Sequence, residues 1–314
     1  MKIVFMESLG MCECAIASQT KTLKQQNHTI VFYPDRKENE AELIARAKDA
    51  EIIVISNIPL RKNFFDHCPK LKMISVAFTG VDHIDLEECR KREITVCNAA
   101  GYSTQAVAEL SIGMMIAVYR KIVGGDAIIR IGGDRQGVLG NEIGGKTVGI
   151  IGLGAIGQRV AALANAFGCK VLAYNRSPKN ISQVTQVDLE TLFRQSDIIS
   201  VHLPLNQETQ GLIGTTAFSQ MQSHAILINT ARGPIVDQHA LYNALKKSEI
   251  AGAAVDVYDQ EPPLPASCEL FNAPNLLMLP HLGYATREAF GIRLDIVIQN
   301  IEKWLDGSPQ NQIV

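Results

Sequence analysis

Apolar residues along this chain gather into short runs, each followed by a longer stretch in which they recur at helical spacing. In the first hundred residues the runs are Ile3–Met6, Ile30–Tyr33, Ile52–Ser56, Met73–Ala77 and Ile94–Cys97. Strand-length runs alternating with helical patterns predict a parallel sheet whose crossovers are helices, and so a first α/β unit. A second series comprises Thr147–Ile151, Val171–Tyr174, Ile198–His202, Ile226–Asn229, Ala253–Val257 and Leu276–Leu279, enough for a complete doubly wound sheet. Two such series in 314 residues predict two domains.

Between the series, Asn98–Tyr102 leads into an apolar helical pattern over Ala106–Tyr119, which Ser103 or Thr104 can cap. This pattern is shorter than the ~20 residues that span a bilayer and it contains Glu109, so a buried or interface helix is expected. Near the other end, Phe290, Leu294, Val297, Ile301, Trp304 and Leu305 mark one face of a long helix. That helix is expected to return to the first domain, which would then comprise residues 1–100 and 286–314, with 101–285 between them.

The strand Thr147–Ile151 runs directly into Gly152-Leu153-Gly154-Ala155-Ile156-Gly157. Three glycines at this spacing serve a tight turn, the close approach of backbone to a pyrophosphate, and close packing of the helix that follows. Ile156, Val160, Leu163, Ala164 and Phe167 then recur at helical spacing, and Gly168 stands where a left-handed residue would end the helix. A strand, a glycine turn and a helix whose first amides point at phosphates make a dinucleotide site.

The choice of dinucleotide turns on the tip of the next strand, Tyr174-Asn175-Arg176-Ser177. An acidic residue there would bind a ribose 2′-hydroxyl, whereas an arginine accommodates a 2′-phosphate. No carboxylate is present. Arg176 offers a guanidinium fork, Asn175 and Ser177 offer hydrogen bonds and Lys179 adds charge, so NADP(H) is favoured, with NAD(H) possible.

Three further segments lie at or just past predicted strand ends: Asn229-Thr230-Ala231-Arg232-Gly233, Asp256 to Pro262, and Pro280-His281-Leu282-Gly283. Open parallel sheets bind ligands at that edge, so Arg232, Glu261 and His281 can converge there. Reduction of a 2-keto acid needs a hydride donor, a proton donor and a cation for the carboxylate or carbonyl. His281 fits the proton donor, Glu261 can hold it, and Arg232 presents a planar fork.

With these segments in hand, the chain resembles the D-2-hydroxyacid dehydrogenase family over nearly its whole length. The motifs carrying the resemblance are Thr79-Gly80-Val81-Asp82, the glycine fingerprint, Val201-His202-Leu203-Pro204-Leu205 with Thr209, and the three segments above. The family implies two doubly wound parallel-sheet domains, a Rossmann cofactor domain inserted into a discontinuous flavodoxin-like substrate domain, and a homodimer. It also implies an Arg232, Glu261, His281 catalytic set and a substrate carboxylate held by the Thr79–Gly80 backbone, so that the domains close for catalysis. Thr230, Ala231, Asp256 and Gly283 match nicotinamide-side positions, while His202, Pro204 and Thr209 match adenosine-side ones. Asn175 stands where the family commonly has aspartate, and Phe78 puts an aromatic ring beside the substrate loop.

Composition narrows the rest. Thirty basic against thirty-two acidic residues, with no Lys/Arg-rich run, give no electrostatic footing for nucleic acid or an anionic membrane, so a small-molecule partner is expected. Met1–Glu7 is too short in apolar residues for a signal peptide and reads as a strand, which predicts a cytoplasmic protein. Seven scattered cysteines, with Cys12-Glu13-Cys14 the one close pair, predict reduced structural thiols and no metal site. The leading expectation is NAD(P)H-dependent reduction of a small 2-keto acid such as glyoxylate or hydroxypyruvate to the D-2-hydroxy acid. D-3-phosphoglycerate dehydrogenase and a non-catalytic, dinucleotide-sensing corepressor are the alternatives; binding alone does not demand the Arg232, Glu261, His281 set.

Overall fold

Strands buried on both faces of a parallel sheet read as unbroken apolar runs. Each run identified above forms a strand in the computed structural model, which describes residues 1–314. The chain divides into one unit of Met1–Ser103 with Thr286–Val314 and another of Thr104–Ala285.

In the first unit the strands are β1 (Lys2–Phe5), β2 (Thr29–Phe32), β3 (Ile52–Ile55), β4 (Met73–Val76) and β5 (Thr95–Cys97). They pair in the order β2-β1-β3-β4-β5, all parallel, the flavodoxin-like arrangement. Side chains alternate across this sheet. Val4, Ile53, Ile74 and Val96 pack on one face with Phe64 and Phe65, and Ile3, Phe5, Ile52 and Met73 pack on the other. The second face is covered by the return helix, Arg287–Leu305, through Leu294, Val297, Ile298 and Ile301. Beyond that helix the chain seals the β5 edge, where Ile313 N–H donates to Val96 O at 2.8 Å, and from within the helix Asn300 Nδ2 donates to Asn98 O at 2.8 Å.

One cysteine expectation fails here. Cys12 and Cys14 form a disulfide, their Cα atoms 5.3 Å apart and so within reach of the bond despite the single intervening residue. The other five cysteines are free thiols, four of them buried.

The second unit holds β6 (Thr147–Ile151), β7 (Lys170–Tyr174), β8 (Thr185–Gln186), β9 (Ile198–Val201), β10 (Ile226–Asn229), β11 (Gly252–Val255) and β12 (Leu276–Met278). Their order is β12-β11-β10-β9-β6-β7-β8, again all parallel, so the strand order reverses between β6 and β9 as in a Rossmann sheet. The seventh strand, β8, is a two-residue polar edge with no apolar run to announce it.

The apolar helix spans Thr104–Tyr119 and is a core element of its own unit. Ala108, Ile112, Met114 and Met115 pack with Val148, Ile150 and Val160, over β6 and the Ala155–Ala166 helix. Exposed apolar side chains follow just beyond, on the Ile122–Arg130 helix, none of whose residues is buried, and on the segment after it. Ile122, Val123, Ile129, Ile131 and Leu139 are all more than half exposed. No helix is long and apolar enough to cross a membrane.

Candidate active site

The fingerprint glycines do three different jobs. Gly152 turns the chain at φ +102°, and a Cβ there would lie 2.5 Å from the His202 carbonyl oxygen. A Cβ at Gly157 would lie 1.9 Å from the Gly152 carbonyl oxygen, so only glycine lets the helix pack onto the turn. Around Gly154 a Cβ would meet nothing within 4 Å: the backbone faces open space at the start of the Ala155–Ala166 helix. The residue needed neither for the turn nor for the packing is the one left facing outward, which fits a backbone that a pyrophosphate approaches. Gly168, at φ +80°, follows the helix, and Phe167 at its end is exposed rather than part of the buried face.

Leu153, inside the turn, is braced by three side chains. Asn175 Oδ1 accepts from Leu153 N–H at 3.0 Å, while Gln158 Nε2 and Lys179 Nζ donate to Leu153 O at 2.9 and 2.8 Å. Asn175 Nδ2 also donates to Ser177 O at 2.7 Å, so this side chain shapes the loop with both of its ends. Lys179 directs its charge at the glycine turn. Arg176 instead stands in solvent, 82% exposed, its Nη1 3.3 Å from a similarly exposed Glu208. A surface pair of that kind is worth at most about 1 kcal/mol.

Past β9, His202 Nε2 lies 2.8 Å from Ser200 Oγ, and burial pushes its pKa down to about 4, so the ring is neutral near pH 7. Thr209 Oγ1 donates to Pro204 O at 2.7 Å and accepts from Asn206 N–H at 2.9 Å, fixing the loop that carries Pro204.

Asn229 ends β10 and shapes the next turn: its Oδ1 accepts from Ala231 N–H at 3.0 Å and its Nδ2 donates to Arg232 O at 2.9 Å. Thr230 Oγ1 is 3.0 Å from Ser111 Oγ on the apolar helix. Gly233 then passes so near the segment after β11 that a Cβ would lie 1.9 Å from the Tyr258 carbonyl carbon. This contact sets the arginine turn against the segment that carries Glu261.

A second tie joins that segment to the histidine. Asp256, fully buried at the end of β11, accepts from Leu282 N–H through Oδ1 and from Gly283 N–H through Oδ2, both at 2.7 Å. Burial raises the Asp256 pKa, against the opposing pull of those two amides. Tyr258 Oη donates to Leu279 O at 2.8 Å, beside the same turn. Between these ties, His281 Nδ1 is 2.8 Å from Glu261 Oε2, and the imidazole stands edge-on to Tyr284 at 5.5 Å. His281 holds φ +58°, a left-handed conformation that costs a non-glycine residue on the order of 1–2 kcal/mol.

A model of the NAD-binding domain of D-isomer-specific 2-hydroxyacid dehydrogenases matches residues 112–283, more than half of the chain. The chain belongs to this family. The dehydrogenase is 40% identical over 281 residues to a glycerate dehydrogenase of Methylorubrum extorquens, covering 87% of this chain and 88% of that one. To a glyoxylate reductase of Thermococcus litoralis it is 39% identical, covering 85% and 84%. Among solved structures, an acyclic imino acid reductase in complex with NADPH and D-Arg superimposes with a TM-score of 0.90 at 34% identity over the full length of both chains. The protein is thus a nicotinamide-dependent oxidoreductase.

In this dehydrogenase the histidine, glutamate and arginine segments meet within one unit, through Asp256, Gly233 and the His281–Glu261 pair. Phe78, Thr79 and Gly80 belong to the other unit, at the end of β4. There the loop is sewn to the segment after β5: Asn98 Nδ2 donates to Thr79 O at 2.8 Å and Ala99 N–H to Phe78 O at 2.9 Å. The bracing residues Gln158 and Ser111 carry no functional signal in the sequence. Asn229 does, as an asparagine two residues before a turn amide.

Proposed function

We propose that this dehydrogenase reduces a small 2-keto acid, glyoxylate or hydroxypyruvate, to the D-2-hydroxy acid, and that it prefers NADPH. The observation that carries the reading is the His281–Glu261 pair at 2.8 Å, set on a strained turn and tied to Asp256. With Nδ1 engaged by Glu261, Nε2 is the ring nitrogen left to serve the substrate. As imidazolium, His281 donates the Nε2 proton to the carbonyl oxygen during reduction; as neutral imidazole it takes that proton back in the reverse oxidation. Arg232 grips the carboxylate and polarises the keto group. The reduced nicotinamide supplies the hydride when bound.

In this reading Gly152, Gly154, Ala155, Ile156 and Gly157 hold the pyrophosphate, and His202, Pro204 and Thr209 lie on the adenosine side. Thr230, Ala231, Asp256 and Gly283 lie on the nicotinamide side. The neutrality of His202 suits contact with an uncharged base or ribose. Residues 101–285 form the cofactor domain, and residues 1–100 with 286–314 form the substrate domain, where Phe78, Thr79 and Gly80 receive the acid. Loss of reduced-nicotinamide absorbance with glyoxylate or hydroxypyruvate tests the reaction; no turnover across a panel of 2-keto acids with either cofactor would refute it.

The NADPH preference rests on Arg176, whose weak surface pair with Glu208 leaves it ready to exchange that partner for a 2′-phosphate. Arg176→Ala should raise the Kd for NADPH by about tenfold or more, the worth of a charge-assisted hydrogen bond, and leave the NADH value within about twofold. An equal loss for both cofactors would remove Arg176 from this role.

We place a homodimer interface at the exposed apolar residues between Ile122 and Leu139, since a second copy would take these side chains out of water. The Ile129→Glu, Ile131→Glu double variant should sediment as a monomer where the parent sediments as a dimer. A monomeric parent rejects the proposal. A cytoplasmic location is consistent with the five free thiols, with the Cys12–Cys14 bond as the feature against it.

A further inference from the structure

Arg293 projects from the return helix into the interior of the first unit and is only 3% exposed. Its guanidinium carbon lies 4.4 Å from the Phe290 ring centroid, 5.6 Å from that of Tyr102 and 5.7 Å from that of Phe78, all within cation–π range. Its Nη2 donates to the Leu9 carbonyl oxygen. The Phe78 and Tyr102 ring centroids are also 6.2 Å apart, the planes tilted by 57°. Gly10, after Leu9, packs so tightly that a Cβ would lie 2.7 Å from the Phe290 ring. One cation therefore touches the loops after β1, β4 and β5 together with the helix from which it springs.

Burying a guanidinium is costly, and an aliphatic side chain of similar volume would fill the space without that cost. A planar cation does what an aliphatic chain does not: it fixes the rings around it in both distance and orientation. The ring with a neighbour of consequence is Phe78, because Thr79 and Gly80 follow it directly. We propose that Arg293 is a positioning residue for the Phe78–Gly80 loop, setting how large a side chain on the 2-keto acid the loop admits. This rests on the reading above that the loop receives the substrate.

The test compares Arg293→Met, Arg293→Lys and Phe78→Ala with the parent, using glyoxylate, pyruvate, 2-oxobutanoate and 2-oxopentanoate with NADPH. In Arg293→Met, amide exchange across residues 78–82 should quicken and KM should rise, with kcat changing less than about threefold. The preference among the four acids should flatten by about tenfold, the scale on which a pocket reads one methylene. Arg293→Lys, which keeps the charge and loses the plane, should fall between Met and parent, and the Kd for NADPH should stay within about twofold in every variant, because the cofactor is assigned to other residues.

If Phe78→Ala alters the preference and both Arg293 variants leave preference and loop exchange at parental values, the inference about Arg293 fails and the substrate-loop reading survives. If Phe78→Ala also leaves every KM unchanged, the loop reading falls and the inference goes with it. A uniform loss of kcat, with a lowered Tm and an unchanged preference, would show Arg293 to be a fold-holding residue only. Should Arg293→Met fail to fold, the Lys variant decides alone by the same readouts.

Discussion

His281→Ala should lower kcat by at least ~100-fold, the minimum expected when a positioned acid–base group is removed, while the Kd for NADPH moves by less than about twofold. The imidazole is held through Nδ1 by Glu261 at 2.8 Å, so the variant removes the proton donor and leaves Asp256 gripping the amides of Leu282 and Gly283. Alanine at φ +58° bears the same backbone cost as histidine, and folding stability should change little. Single-turnover reduction isolates the chemical step. Glu261→Gln should give a smaller loss than the histidine variant, because the imidazole stays in place and keeps a hydrogen-bond partner at Nδ1. A His281→Ala enzyme with kcat within about threefold of the parent would place the proton donor elsewhere.

Arg232→Ala should lower kcat/KM by ~100- to 10,000-fold. Two charge-assisted hydrogen bonds to a substrate carboxylate are worth about 1.5–3 kcal/mol each, and each 1.4 kcal/mol is a factor of ten. Asn229 braces the Arg232 carbonyl and Gly233 locks the turn against Tyr258, so the backbone should hold its place when the side chain is cut. Arg232→Lys separates charge from shape. A lysine restoring most of the loss would mean that the site reads charge alone; recovery of under a tenth would mean that the planar fork is what binds. An alanine variant with parental kcat/KM would exclude Arg232 from substrate binding altogether.

The positions of both residues were legible in the sequence because open parallel sheets bind ligands at one edge, and the strand ends were readable from the apolar runs themselves. Double-sided burial made β1, β3, β6, β9 and β10 nearly pure aliphatic runs. The glycine turn was legible for a similar reason: its spacing follows from steric demands that other residues cannot meet, as the contacts at Gly152 and Gly157 show.

What stayed hidden depends on contacts between residues distant in sequence or on segments whose side chains the fold leaves outside. β8 is two polar residues on a sheet edge, paired through backbone alone. The Ile122–Arg130 helix buries none of its residues, and Gly124 and Gly125 interrupt its pattern. Asn175 was readable as a polar group at a strand tip, yet its service to Leu153, 22 residues earlier, depends on how β7 lies beside β6. Spacing likewise said nothing of whether Cys12 and Cys14 would bond to each other.

The return helix also fixes an order of events at the ribosome. Until residues 286–314 have been synthesised, the face of the first sheet formed by Ile3, Phe5, Ile52 and Met73 lacks the cover of that helix, and the β5 edge lacks its partner at Ile313. The inserted unit, Thr104–Ala285, needs nothing from that segment to complete its own sheet. The domain that begins first on the nascent chain is therefore the one that finishes last. For the tens of seconds that the intervening residues take at about 5–20 residues per second, it presents an apolar surface on which chaperones can act.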